Sequence, residues 1–132
     1  MQVPPFTYWG VRLLSPFVNE FTPAAGPRTQ VDDLWQGYGV RPGRAVLQLY
    51  TLMKKVAERF PKIQPPLLII QGRLDTSILP QGAQTLYSKA GSRVKELHWL
   101  DQSTHCVILD QELSKVTDLS LKFIANATGA EM

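Results

Sequence analysis

The chain has 132 residues, 44% hydrophobic and 19% charged, with a formal net charge of +3. That length and balance fit one typical globular domain and exclude a low-complexity chain. The lone cysteine, Cys106, excludes an internal disulfide and any Cys-x-x-Cys pattern.

Only His98 and His105 offer imidazoles, and no metal-ligand spacing appears, so neither a metal nor a cofactor is expected. Lys54, Lys55, Arg59 and Lys62 form one basic cluster at helical spacing. It reads as a solvated face, not a nucleic-acid site. The N-terminus has no basic signal-peptide region, and no apolar run approaches the ~20 residues of a membrane helix. A cytoplasmic location is the expectation, consistent with an unpaired thiol.

Residues 1–41 read as irregular, because Pro4, Pro5, Pro16, Pro23 and Pro27 break any long helix. Phe6, Tyr8, Trp9, Val11, Leu13, Leu14, Phe17, Val18 and Phe21 are nonetheless too apolar for a disordered tail. Trp9–Val18 is a candidate short helix, and Asp32–Trp35 a candidate turn. Over 43–60, Ala45, Leu49, Leu52, Met53, Val56 and Phe60 recur at spacings of three and four, which predicts a helix ended by Pro61. Val46 and Tyr50 widen its apolar face, so cover on more than one side is expected.

Leu67–Gln71 is an apolar run between Pro65-Pro66 and Gly72, the pattern of a strand buried on both faces of a parallel sheet. Pro80–Ala90 predicts a helix with proline in its first turn and Gly91 just past its end. Val94–Leu100 predicts a second strand. Leu109–Ala125 predicts the last helix, with Asp110 as N-cap and Glu112 near its positive end. Helix–strand–helix–strand–helix order implies parallel strands with helical crossovers.

In open parallel sheets, ligands sit beyond the carboxyl ends of the strands. Asp75 follows the first strand there and His105 the second. Neighbouring strands lie ~4.8 Å apart, so contact between the two side chains is easy. Read alone, Asp75 is a turn former and His105 a loop residue. Read together, they form an acid–base pair in which Asp75 fixes the imidazole tautomer and leaves the other nitrogen as general base. No Gly-x-Ser-x-Gly accompanies them.

Pro66–Asp75, Lys95–Leu100 and Ser103–Glu112 together resemble the C-terminal half of α/β-hydrolase-fold serine hydrolases, nearest to small carboxylesterases and monoacylglycerol lipases. The resemblance implies an α/β fold in which 66–71 and 94–100 are the last two parallel strands. It implies a cap-derived segment over 1–41 and the C-terminal part of the core over 42–132. It assigns Asp75 as triad acid and His105 as triad base, with a small-molecule ester or acylglycerol as substrate. Thr104 stands where the family usually has glycine, and Cys106, read as a buried packing residue, follows the histidine.

The nucleophile elbow and oxyanion hole come from the N-terminal half of this fold. Ser15, Ser77, Ser88, Ser92, Ser103, Ser114 and Ser120 are the serines present, and none has an elbow context. The chain is therefore expected to be inactive alone, and an N-terminal half supplied by another chain is the partner that would complete it. The open edge of strand 67–71 is expected to make the isolated chain associate. The aromatic segment and the 43–60 helix either shape an acyl pocket or fill a core. A thioesterase, peptidase or dehalogenase uses the same acid–base rim, and a non-catalytic α/β binding module is the reading from another class.

Overall fold

The computed structural model describes residues 9, 10, 13, 20, 21 and 41–129. The Asp32–Trp35 turn lies outside them. Of the Trp9–Val18 segment, Trp9, Gly10 and Leu13 are described, and all three are helical. The chain divides into two compact units, Gln2–Glu58 and Arg59–Met132.

In the first unit, strand β1 (Glu20–Phe21) pairs antiparallel with β2 (Arg41–Pro42). Helix α1 follows over Gly43–Ala57. Its first residue comes directly after Pro42, whose extended backbone cannot continue a helix backwards. It stops at Ala57, three residues short of the expected end, because Phe60–Lys62 tightens into a 3-10 turn around Pro61. Leu49, Leu52 and Val56 are exposed. Among the described residues, then, nothing provides the expected cover over these positions of α1. Leu47, Gln48, Thr51, Leu52 and Lys55 line a shallow groove along the helix. The four basic residues of the sequence cluster are exposed, as a solvated face requires.

In the second unit, β3 (Leu67–Gly72) and β4 (Lys95–Leu100) pair in parallel, from Leu67 opposite Lys95 to Gly72 opposite Leu100. Helix α2 (Gln81–Lys89) forms the crossover and contacts both strands. Helix α3 (Leu113–Thr128) contacts β3. The core comprises Ala83, Ala90, Leu100, Val116 and Phe123. Leu67–Ile70 are only half-buried, not sealed on both faces. Among the described residues β3 has one strand neighbour and no second, so a run patterned for burial meets too few partners.

Gly91 follows the end of α2, as expected. Gly91 does not cap α2 in a left-handed conformation; among the described residues only Gly129 has positive φ, at 70°, and it ends α3. Gly91 is glycine because a Cβ there would strike the carbonyl of Pro61 and come within 2.7 Å of Gln64 Nε2. The last helix also begins later than predicted. Asp110 is not its N-cap: Glu112 holds that place, without a side-chain capping bond, and α3 starts at Leu113. Asp110 Oδ2 instead accepts from Thr104 in the preceding loop, and Oδ1 from the N–H of Gln111.

Candidate active site

The parallel register aligns the ends of β3 and β4 and so brings both following loops to one rim. After Gly72 the chain turns, with Asp75 N–H donating to the Gly72 carbonyl at 3.4 Å. Arg73 N–H donates to Leu100 O at 2.8 Å and Leu74 N–H to Ser103 O at 3.1 Å. These two bonds stitch the acid-bearing loop to the histidine-bearing loop. Gly72 makes the approach possible: a Cβ at this position would overlap the carbonyl oxygens of both Ser103 and Thr104.

Asp75 and His105 meet at the rim, with His105 Nδ1 3.0 Å from Asp75 Oδ2. The Asp75 side chain is 2% exposed and the His105 side chain 45%. Oδ2 also accepts from Gln71 Nε2 at 2.9 Å. Oδ1 accepts from the backbone N–H groups of Ser77 (2.8 Å) and Ile78 (2.9 Å). Asp75 is thus both a turn former and a histidine partner, one oxygen serving mainly each task.

Burial, the largest single influence, pushes the Asp75 carboxyl up. The bonds from His105, Ile78, Gln71 and Ser77 together outweigh it and hold the group below its ordinary value of 3.8. An ionised carboxylate only accepts, so Nδ1 carries the proton. In the neutral ring the lone pair is then on Nε2, which has no hydrogen-bond partner among the described residues. A half-exposed ring with its inner nitrogen anchored and its outer nitrogen open is suited to taking a proton from a group above the rim.

The surrounding loop is dense with polar contacts that the sequence reading missed. Asp110 Oδ2 accepts from both the backbone N–H and the hydroxyl of Thr104, at 2.7 and 2.6 Å. Glu112 Oε2 accepts from Gln102 N–H at 2.9 Å and from Ser103 Oγ at 2.8 Å. Fully buried Ser103 therefore acts as a loop anchor. Thr104 needs no glycine-like backbone, since no non-glycine among the described residues has positive φ. Cys106 is only half-buried, against the expectation of a buried packing residue. Gln71 carried a legible signal: one polar side chain closing an apolar strand, four residues before the acid. Asp110 and Glu112 carried only helix-cap signals.

The other histidine is separate, bonded through Nε2 to Glu96 Oε2 at 2.7 Å on the same strand. Among the described residues no group of three or more His, Cys, Asp or Glu side chains is placed to hold a metal ion. No described helix is long and apolar enough to cross a membrane.

The loop carboxylates titrate low as well. The bonds from the Thr104 hydroxyl and N–H lower Asp110, and Glu112 is lowered because bonds from Ser103, Gln102 and Lys115 outweigh desolvation. A carboxyl with a lower pKa folded than unfolded contributes stability above its unfolded value. That stability is lost as pH falls through the folded value. The thermal midpoint should therefore drop between pH 5 and pH 3, and drop less in Asp75→Asn. Circular-dichroism melts at pH 5, 4 and 3 check this; a midpoint constant across the range counts against it.

Comparison with known proteins gives a consistent family. The sequence model described as serine aminopeptidase, S33, matches residues 23–112. A carboxylesterase of Bacillus subtilis (strain 168) is 25% identical over 83 residues, covering 63% of this chain and 34% of its own. A solved structure from work on LipS and LipT, two metagenome-derived lipolytic enzymes, superposes with a TM-score of 0.77 at 26% identity. It covers 96% of this chain and 51% of that one. A monoacylglycerol lipase from Paleococcus ferrophilus shares the fold, with a TM-score of 0.71 at 14% identity, covering 91% and 51%. The chain thus spans about half the length of these two solved structures and about a third of the curated carboxylesterase. The matched residues, the parallel ladder and its flanking helices agree: this chain belongs to the serine aminopeptidase, S33, family of hydrolases and carries the α/β-hydrolase fold.

Proposed function

We propose that this chain provides the acid and base of a serine carboxylic-ester hydrolase, Asp75 as the acid and His105 as the base. The observation that carries the reading is the 3.0 Å bond from His105 Nδ1 to a buried, four-fold hydrogen-bonded Asp75. The attacking serine and the oxyanion donors lie outside these residues, on an N-terminal half of the fold. Residues 1–41 act as a cap-derived segment and 42–132 as the C-terminal part of the core. The substrate is a small ester or acylglycerol, and the setting a reducing, cytoplasmic one.

In the assembled site, His105 Nε2 takes the proton of the serine hydroxyl as its oxygen attacks the ester carbonyl. Asp75 stabilises the imidazolium that results. The ring returns the proton to the leaving alkoxide, then activates the water that releases the acid. Without the serine and oxyanion donors the pair does little.

The pure 132-residue chain should therefore show no turnover of p-nitrophenyl butyrate above buffer. Joined to an upstream segment bearing Gly-x-Ser-x-Gly, it should hydrolyse the ester and lose that activity on His105→Ala. Turnover by the chain alone that His105→Ala abolishes would sink the proposal. The family description supports a second reading, an aminopeptidase. Faster cleavage of an aminoacyl p-nitroanilide than of the ester by the joined protein would select it.

A further inference from the structure

We infer that Asp110 and Glu112 are positioning residues for His105: they clamp residues 102–104 and thereby hold the imidazole Nδ1 against Asp75. The inference rests on the reading of His105 as the base, and extends it to side chains that touch neither His105 nor the reacting atoms.

Little holds the ring itself. The His105 side chain is 45% exposed, and its bond to Asp75 is its one hydrogen bond among the described residues. A half-solvated ring with one tether takes its position from the backbone that carries it. That backbone is gripped from two sides. On one side, Leu74 N–H holds the Ser103 carbonyl at 3.1 Å, and Gly72 admits the loop with no Cβ between. On the other side are the two carboxylates.

Asp110 Oδ2 takes both donors of Thr104, the residue immediately before His105, at 2.7 and 2.6 Å. Two bonds from one residue to one oxygen fix its backbone and its χ1 together. Glu112 Oε2 takes Gln102 N–H and Ser103 Oγ at 2.9 and 2.8 Å, while its other oxygen faces Lys115 Nζ at 3.3 Å. Each of residues 102, 103 and 104 therefore donates to one of the two acids. Glu112 stands at the start of α3 without making a side-chain cap, so its carboxylate serves the loop and not the helix. Misplacing a catalytic group by about 1 Å costs on the order of 100-fold in rate, which is the scale of what such a clamp protects.

The test uses the 132-residue chain and needs no turnover. In the proton NMR spectrum, the Nδ1–H shared with Asp75 should give a downfield resonance, assigned by its loss in His105→Gln. Asp110→Ala should remove or broaden it, while the amide signals of Leu67–Gly72 stay in place. Thr104→Ala, which deletes one hydroxyl and is the milder change, should weaken it, and Thr104→Ser should restore it. Hydrogen exchange read by mass spectrometry should show the Gln102 and Thr104 amides exchanging at least tenfold faster in Asp110→Ala and Glu112→Ala. A resonance unchanged in Asp110→Ala and Thr104→Ala would overturn the inference, as would its absence from the wild type. If Asp110→Ala does not fold, the Thr104→Ala and Thr104→Ser pair decides. If the resonance behaves as expected but the joined protein hydrolyses nothing, the positioning role stands and the ester reading falls.

Discussion

Gly72→Ala is expected to destabilise the Arg59–Met132 unit by about 3 kcal/mol, near the upper end of ordinary overpacking. The added Cβ meets the carbonyl oxygens of Ser103 and Thr104, and the Ser103 carbonyl carbon at 2.8 Å. These are backbone atoms, so no rotamer change relieves the overlap. Nor is the loop free to retreat, because Leu74 N–H, Asp110 and Glu112 hold it. For a unit of this size the thermal midpoint should fall by roughly 10 °C or more. Gly82→Ala is the matched control. Its Cβ meets only Ile78 Cγ2 at 3.7 Å, in ordinary contact, and the site is helical. It should raise stability by up to about 1 kcal/mol. Calorimetry on the two variants separates them; equal midpoints would show that the loop moves aside easily.

The second large effect is on chemistry. In the joined hydrolase, Asp75→Asn should lower kcat by about 10⁴-fold, with little change in KM. Asparagine offers one oxygen where aspartate offers two. If that oxygen keeps the Ser77 and Ile78 N–H groups, the amide nitrogen faces two donors, Gln71 Nε2 and His105 Nδ1–H. The imidazole relieves the conflict by moving its proton to Nε2, and the lone pair then points away from the serine. Steady-state kinetics on p-nitrophenyl butyrate measures the loss. A fall of less than tenfold would mean that Asp75 acts as a turn former alone.

The pairing of Asp75 with His105 was legible because each residue follows an apolar strand at the same end of a parallel sheet. Sequence order alone then places them on one rim. What lay beyond reach was how polar side chains near a helix start divide their bonds. Asp110 and Glu112 have the composition of a helix N-terminus, and local propensity sends them there. In the fold, nearby loop donors win both carboxylates, and α3 starts at Leu113. Gly91 does lie just past the end of α2, as its position suggested, but its reason was out of reach: a non-local approach by Pro61 sets the requirement. The half-exposed strand Leu67–Ile70 is the converse case, a pattern written for more neighbours than the described residues supply.

The parallel register of β3 and β4 also bears on how the site is assembled in time. Each ladder partner lies 28 positions along the chain from its mate, and Asp75 lies 30 from His105. Closing a loop of that length costs about 3 kcal/mol of chain entropy before any contact offsets it. No local hairpin joins the two strands of the rim; the chain between them runs through α2. Bringing the acid and base together is therefore a long-range event, a product of the crossover and not of either loop by itself.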